Sequence, residues 1–264
     1  LCRRSRENQA NIARAGGIPK LVGVVLGLSQ TSMKEAAAVQ LCTLAASAIK
    51  EMAKSNRKNQ DAIAEAGAIQ PLVSMLGSPS PQMQANAAGA LANLARGHMD
   101  NQAAIAKTGS IAPLCALVRE GSPETKDQSA SALWSLSTDN APNKDTIAKL
   151  GGIDPLVALL TYGTTDKSLQ CTSGALAALA SKHLDNRQVI VKKLVGLLGS
   201  SATRASERAV RMLTTISSFT RDSSANQVAL AKANGIPPLI AWLGSNSHAA
   251  QTQAAHAVMC LATD

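Results

Sequence analysis

Asparagine returns along the chain at a nearly constant interval: Asn8, Asn59, Asn101, Asn143, Asn186 and Asn226, spaced 51, 42, 42, 43 and 40 residues apart. Four residues behind each stands Ile, Val or Leu, usually followed by a glycine-containing turn and a short apolar run. Self-similarity at this period means that each unit is one supersecondary module that buries its apolar face only against its neighbours. The units run at about 8–58, 59–100, 101–142, 143–185, 186–225 and 226–264, with 1–7 reading as the end of a preceding repeat.

Composition says the modules are helical. The 264 residues hold two Trp, one Tyr and one Phe, and are 45% hydrophobic. Sheets draw on aromatic and β-branched side chains, whereas this chain draws on Ala and Leu, the strongest helix formers. The scarcity of rings also argues against specific nucleic-acid binding by base stacking. No run of 18 apolar residues predicts a membrane span. Five cysteines in no metal-ligand spacing predict neither a disulfide framework nor a zinc module. Together these features predict an intracellular, cytoplasmic protein, with cytoskeletal or nuclear sites also open.

Local chemistry predicts three helices per unit. In the second, Asn59 is expected to cap a short helix over 61–66, which Gly67 ends by adopting left-handed geometry. Pro71 suits the first turn of a second helix with Leu72, Val73, Met75 and Leu76 toward the core. Gly77 to Pro81 breaks it, and a third helix is expected over about 82–96, with Ala87, Ala88, Leu91, Leu94 and Ala95 on one face.

The pattern N-x-x-x-I-x-x-x-G-x-I-x-P-L-V-x-L-L, followed by A-A-x-A-L-x-N-L-A, resembles the armadillo repeat of the importin-α and β-catenin family. The resemblance covers essentially the whole chain and implies an all-α, right-handed armadillo-repeat superhelical solenoid of about six three-helix repeats. It also implies a non-catalytic protein–protein interaction module, holding an extended or helical partner segment along a concave groove lined by the third helices. Six units with helices ~8–10 Å apart would make a groove on the order of 50–60 Å long, room for a dozen or more extended residues at ~3.3 Å each.

Two units depart from the pattern. In unit one Leu44 lies 15 residues before Asn59, where Leu94 lies 7 before Asn101, and Ile49 and Met52 continue the apolar phase. An elongated third helix is expected. Unit five lacks the Gly/Pro turn, so residues 189–198 are expected to run as one helix. Both chain ends stop at the same phase of the repeat without a polar capping face, and we read the chain as a fragment of a longer array.

In the family, a Trp and an Asn one turn later line the groove. Aligning the third helices puts Val39 and Thr43 in these slots, then Gly89 and Asn93, Ser131 and Ser135, Gly174 and Ala178, Arg211 and Thr215, and His256 and Cys260. Only Asn93 keeps the family's Asn, no slot holds the Trp, and Trp134 falls one residue off the Asn slot.

Charge is unevenly placed. The chain carries +9 in all; residues 1–58 carry +7, 59–185 carry −3 and 186–264 carry +5. Arg204, Arg208 and Arg211 form a stripe at i, i+4, i+7, with Lys182 as a candidate neighbour. Three guanidinium groups suit carboxylates or phosphates, which predicts an acidic partner; the rival reading is a solvated face with stems on Ala205 and Ala209. Arg3, Arg4 and Arg6, and Lys54, Arg57 and Lys58, are expected at repeat corners, keeping the array soluble or meeting acidic surfaces. The candidate groove residues are Asn93, Ser131, Ser135, Lys182, Arg204, Arg208, Arg211, Thr215 and His256.

No catalytic, cofactor or metal constellation is found. The four histidines lack ligand-spaced partners, and Gly16-Gly17 and Gly151-Gly152 sit at helix turns without a phosphate-loop lysine. Cys42 and Cys115 read as small buried hydrophobes, Cys171 and Cys260 as groove-facing. The alternative function is a rigid structural or scaffold subunit of a large assembly, ciliary or cytoskeletal, contacted along its edges or convex face.

Overall fold

The computed structural model describes residues 6–29, 36–163, 165–198, 203–218 and 223–262. Among them every regular element is helical, and they cluster into two compact units, Leu1–Leu150 and Gly151–Asp264. The first holds α1 (Arg6–Arg14), α2 (Gly17–Ser29) and α3 (Ala36–Ala53), then α4 (Arg57–Glu65), α5 (Ile69–Met75) and α6 (Pro81–Ala95). It continues with α7 (Met99–Lys107), α8 (Ile111–Glu120), α9 (Pro123–Ser137) and α10 (Ala141–Lys149). The second holds α11 (Ile153–Tyr162), α12 (Asp166–Ala180), α13 (Leu184–Leu198), α14 (Thr203–Ser218), α15 (Ser223–Lys232), α16 (Ile236–Leu243) and α17 (His248–Ala262).

In the first unit the third helices α3, α6 and α9 lie side by side, with α6 packed against both of the others. This position explains a departure from the one-faced pattern expected of α6. Its alanines 85, 87, 88, 90, 92 and 95 are buried all round, as are Met83, Leu91 and Leu94. A helix flanked on both sides keeps little exposed surface, and small side chains let its neighbours approach closely.

The first helices start three residues earlier than the asparagine period suggests. Asn56, not Asn59, caps α4, its side chain accepting from the Asn59 backbone N–H at 3.2 Å. His98 and Asn140 do the same for α7 and α10, and His183 Nδ1 accepts from the Asn186 N–H. The residue before each cap is left-handed: Ser55, Gly97, Asp139 and Lys182 have φ of 52–65°. Each corner is thus a left-handed residue followed by a side-chain acceptor, which turns the chain sharply and satisfies the new helix's first donors.

The repeated asparagine has another task. Asn59 Nδ2 donates to Met52 O, Asn101 Nδ2 to Leu94 O, Asn143 Nδ2 to Leu136 O and Asn186 Nδ2 to Leu179 O, each seven residues back. The glutamine beside it reaches the other way. Gln9 Nε2 donates to Glu51 O, Gln60 Nε2 to Asn93 O and Gln102 Nε2 to Ser135 O, each the last turn of its own repeat's third helix. An Asn-Gln pair therefore ties the carbonyl ends of two successive third helices, which have no intrahelical donors of their own. The next cap joins in: Asn56 Nδ2 donates to Gln9 Oε1 and Asn140 Nδ2 to Gln102 Oε1.

This ladder corrects the reading of unit one. Met52, bonded by Asn59 as Leu94 is by Asn101, is the counterpart of Leu94. Met52 is fully buried, whereas Leu44 is 61% exposed. By the same offsets the third-helix positions that match Gly89 and Asn93 are Ser47 and Glu51, not Val39 and Thr43. The expected long third helix is present at 18 residues against 15 in α6, and α2 has 13 against 7 in α5. In unit five, the two short helices are fused into the single α13, longer at its start than expected.

Candidate functional site

The predicted site is the face of the third helices. In the first unit this face is occupied by the chain's own side chains. Asn93 Nδ2, in the one slot that keeps the family's Asn, donates to Lys50 O at 2.8 Å, binding α6 to α3. Lys50 Nζ reaches across to Asn86 Oδ1 at 2.8 Å, and Asn86 Nδ2 donates to Thr43 O. Above Gly89 the space is taken. A Cβ there would lie 2.6 Å from Lys50 Cδ and 2.8 Å from Gln128 Oε1.

Ser131 and Ser135 are buried, Ser135 to 4% exposure. Arg96 lies over both the Trp134 ring, 5.9 Å from its centroid, and the Ser131 hydroxyl, to which Nη2 donates at 3.2 Å. Trp134 thus serves as the platform for an intramolecular cation–π contact. Neither serine, though aligned with a groove slot, presents its hydroxyl as an open hydrogen-bonding station.

The second unit is different. A cavity of about 240 Å³ opens where α11, α12 and α14 meet, lined by Leu160, Leu169, Gln170, Ser173, Arg208, Arg211, Met212 and Thr215. Of the predicted residues, Arg208, Arg211 and Thr215 are brought together here. Arg204 is exposed one turn before Arg208. Lys182 is not in this wall: it is the exposed left-handed residue of the corner between α12 and α13. His256 is exposed on α17, outside the cavity lining. Thr215 Oγ1 donates to Arg211 O within its own helix.

Arg208 has a structural task that the stripe did not disclose. Its Nη1 donates to Leu160 O at 3.0 Å and Thr161 O at 2.9 Å, the last turn of α11. Those carbonyls lack helical donors, and a cation at a helix C-terminus is favoured by the dipole as well. Burial, and then the nearby charges of Arg204 and Arg211, lower the Arg208 pKa below its ordinary value. A guanidinium stays charged nonetheless, so the stripe is a concentrated positive field.

The cysteines lie deeper than the sequence implied. Cys42, Cys115 and Cys171 are all buried, so Cys171 does not face the groove; the Cys260 side chain, Cys2, Arg3 and Arg4 lie outside the described residues. Burial pushes the Cys115 thiol up to about 11. The raised value means that stability from burying the neutral thiol is present below the unfolded pKa of ~8.5 and is lost as pH climbs toward 11. Iodoacetamide at pH 8 is expected to label Cys115 only as the protein unfolds; labelling of folded protein at a free thiol's rate would show that α8 opens.

Among the described residues no group of three or more His, Cys, Asp or Glu could hold a metal ion, and no helix is long and apolar enough to cross a membrane.

Residues 56–96 and 140–180 match the family profile of the Armadillo/beta-catenin-like repeat. Each window opens on a capping asparagine and closes on a third helix. The chain carries armadillo repeats. Solved structures agree on the fold of such repeats. One engineered protein is 28% identical with a TM-score of 0.69, over 93% of this chain and 96% of its own. Another engineered protein is 28% identical with a TM-score of 0.74, over 99% of this chain and 62% of its own. A designed armadillo repeat protein in complex with the peptide (KR)4 is 22% identical with a TM-score of 0.68, over 92% and 99%. No curated protein matches the sequence.

Proposed function

We propose that this armadillo-repeat chain is a non-catalytic interaction module that takes an acidic peptide segment on the α12–α14 face of its second unit. The observation that carries the reading is the cavity between these helices, with Arg211 on its wall and Arg204 exposed beside it. Leu160, Leu169 and Met212 supply apolar contact, while the guanidinium forks suit a carboxylate in a bidentate pair. Thr215 and Ser173 add polar edges. The peptide of the designed relative is basic; a basic segment would meet repulsion from this stripe.

The test is fluorescence anisotropy with a labelled twelve-residue peptide rich in Asp and Glu. Arg204→Glu/Arg211→Glu is expected to weaken binding roughly tenfold or more, and salt to weaken wild-type binding, as fits an exposed charged contact. Arg208 is left intact because it holds α11. Equal binding by wild type and variant would dismiss the reading.

A second reading, a rigid structural element within an intracellular assembly, is favoured by one observation. The α3–α6–α9 face is filled by Lys50, Gln128 and Arg96 rather than left open. On this reading partners touch first and second helices, and cross-linking of a native assembly would find its links there.

A further inference from the structure

The seam between the first two repeats of the first unit contains an open cavity of about 670 Å³, walled by α1, α2 and α4. Its walls are mainly small or apolar, including Ala10, Ala13, Ile18 and Ala62, and its charged lining residues are Arg14 and Lys58. The equivalent seam between the second and third repeats carries acidic side chains at the matching positions. Counting from the repeated asparagines, Ala10 corresponds to Asp61, Arg14 to Glu65 and Lys58 to Asp100.

In that second seam Asp61 is the hub. His98 Nε2 lies 2.6 Å from Asp61 Oδ1, with His98 Nδ1 accepting the Asn101 N–H, so the ring donates from Nε2 to the carboxylate. Arg57 Nε approaches Asp61 at 3.5 Å, Arg57 Nη2 approaches Asp100 at 3.8 Å, and Arg57 Nη1 donates to Gly97 O. The first seam has the opposite sign. It has a methyl where the carboxylate would be and two cations where acids would be. Arg14 Nη2 donates only to the Asn11 side-chain oxygen, and neither Arg14 nor Lys58 has a carboxylate partner among the described residues.

We propose that this seam binds a short partner segment pairing an aspartate or glutamate with a leucine-sized apolar side chain. The carboxylate would stand where Asp61 stands in the next seam, between Arg14 and Lys58, and the apolar side chain would lie against Ala13, Ile18 and Ala62. The volume lies within the ~300–1,000 Å³ usual for binding pockets, and residues 1–58 carry +7, complementary to an acidic segment. This site is separate from the α12–α14 face and does not depend on it.

The experiment is anisotropy titration of fluorescein-Gly-Ser-Gly-Asp-Leu-Glu-Leu against the full chain. Two variants test the site: Arg14→Glu/Lys58→Glu, and Ala10→Asp, which installs the missing internal carboxylate. Arg14 and Lys58 are exposed and Ala10 is half-buried, and the thermal unfolding of both variants is followed in parallel. Saturable wild-type binding, weakened roughly tenfold or more by each variant and unchanged in Arg204→Glu/Arg211→Glu, supports the assignment. Absence of wild-type binding, equal binding by Arg14→Glu/Lys58→Glu, or loss confined to Arg204→Glu/Arg211→Glu overturns it. So does undiminished binding of the same peptide with serine in place of leucine, which would reduce the contact to charge alone.

Discussion

Arg208→Ala is expected to destabilise the second unit by about 2 kcal/mol, the scale of charge-assisted hydrogen bonds at a partly buried helix C-terminus. The arginine holds two carbonyls of α11, Leu160 O and Thr161 O, from a helix almost fifty residues later. Alanine leaves those acceptors without their donor at a partly buried helix end, and removes the cation that the end of α11 favours. Arg208→Lys keeps the charge and loses the planar fork, so it should recover only part of the loss. Arg211→Ala is the control. Its guanidinium is exposed and its removal also relieves repulsion on Arg208, so its effect on stability should fall within about 0.5 kcal/mol. Urea denaturation of the four proteins decides the matter; equal midpoints for Arg208→Ala and Arg211→Ala would refute the anchoring task. The distinction bears on function as well, because a binding defect in an Arg208 variant would mix lost recognition with a loosened α11.

Much of the fold was legible because the repeat is written in local chemistry. Gly67 and the Gly77–Pro81 break mark helix ends, and the missing Gly/Pro turn foretold the single helix α13. Register was less legible. Leu41-Cys42-Thr43-Leu44-Ala45 imitates the Leu91–Ala95 core within an alanine-rich helix, so apolar spacing alone fitted two alignments eight residues apart. The better signal was the constant offset from Asn59 back to Met52, which becomes visible once asparagine is understood as a tether and the residue three before it as the cap. The groove was legible as a position and not as an occupancy. That Lys50 and Gln128 cover Gly89, and that Arg208 turns toward α11, depends on side chains meeting across 36 to 48 residues, which no local pattern encodes. Lys58 was visible only as a corner cation until Asp100, its counterpart in the next seam, supplied the contrast.

Asn101→Ala is expected to cost about 2 kcal/mol, within the 1–3 kcal/mol of a buried group left unsatisfied. The side chain is 4% exposed, and its amide donates to Leu94 O, a carbonyl at the end of α6. Asn93→Ala offers the comparison: it also loses one side-chain bond to a third-helix carbonyl, Lys50 O, but from a half-buried position where water can substitute. It should lose about 1 kcal/mol. The two also differ in where the damage spreads. Asn101 joins α7 to the end of the preceding repeat, and a repeat array is held together by such nearest-neighbour terms. Weakening one seam should therefore let α7 to α9 exchange their amides sooner than α4 to α6, whereas Asn93→Ala should leave that order unchanged. Hydrogen exchange read by mass spectrometry separates these outcomes. Uniform acceleration throughout the first unit in Asn101→Ala would mean that the asparagine stabilises the unit as a whole and does not act as the tether between neighbouring repeats.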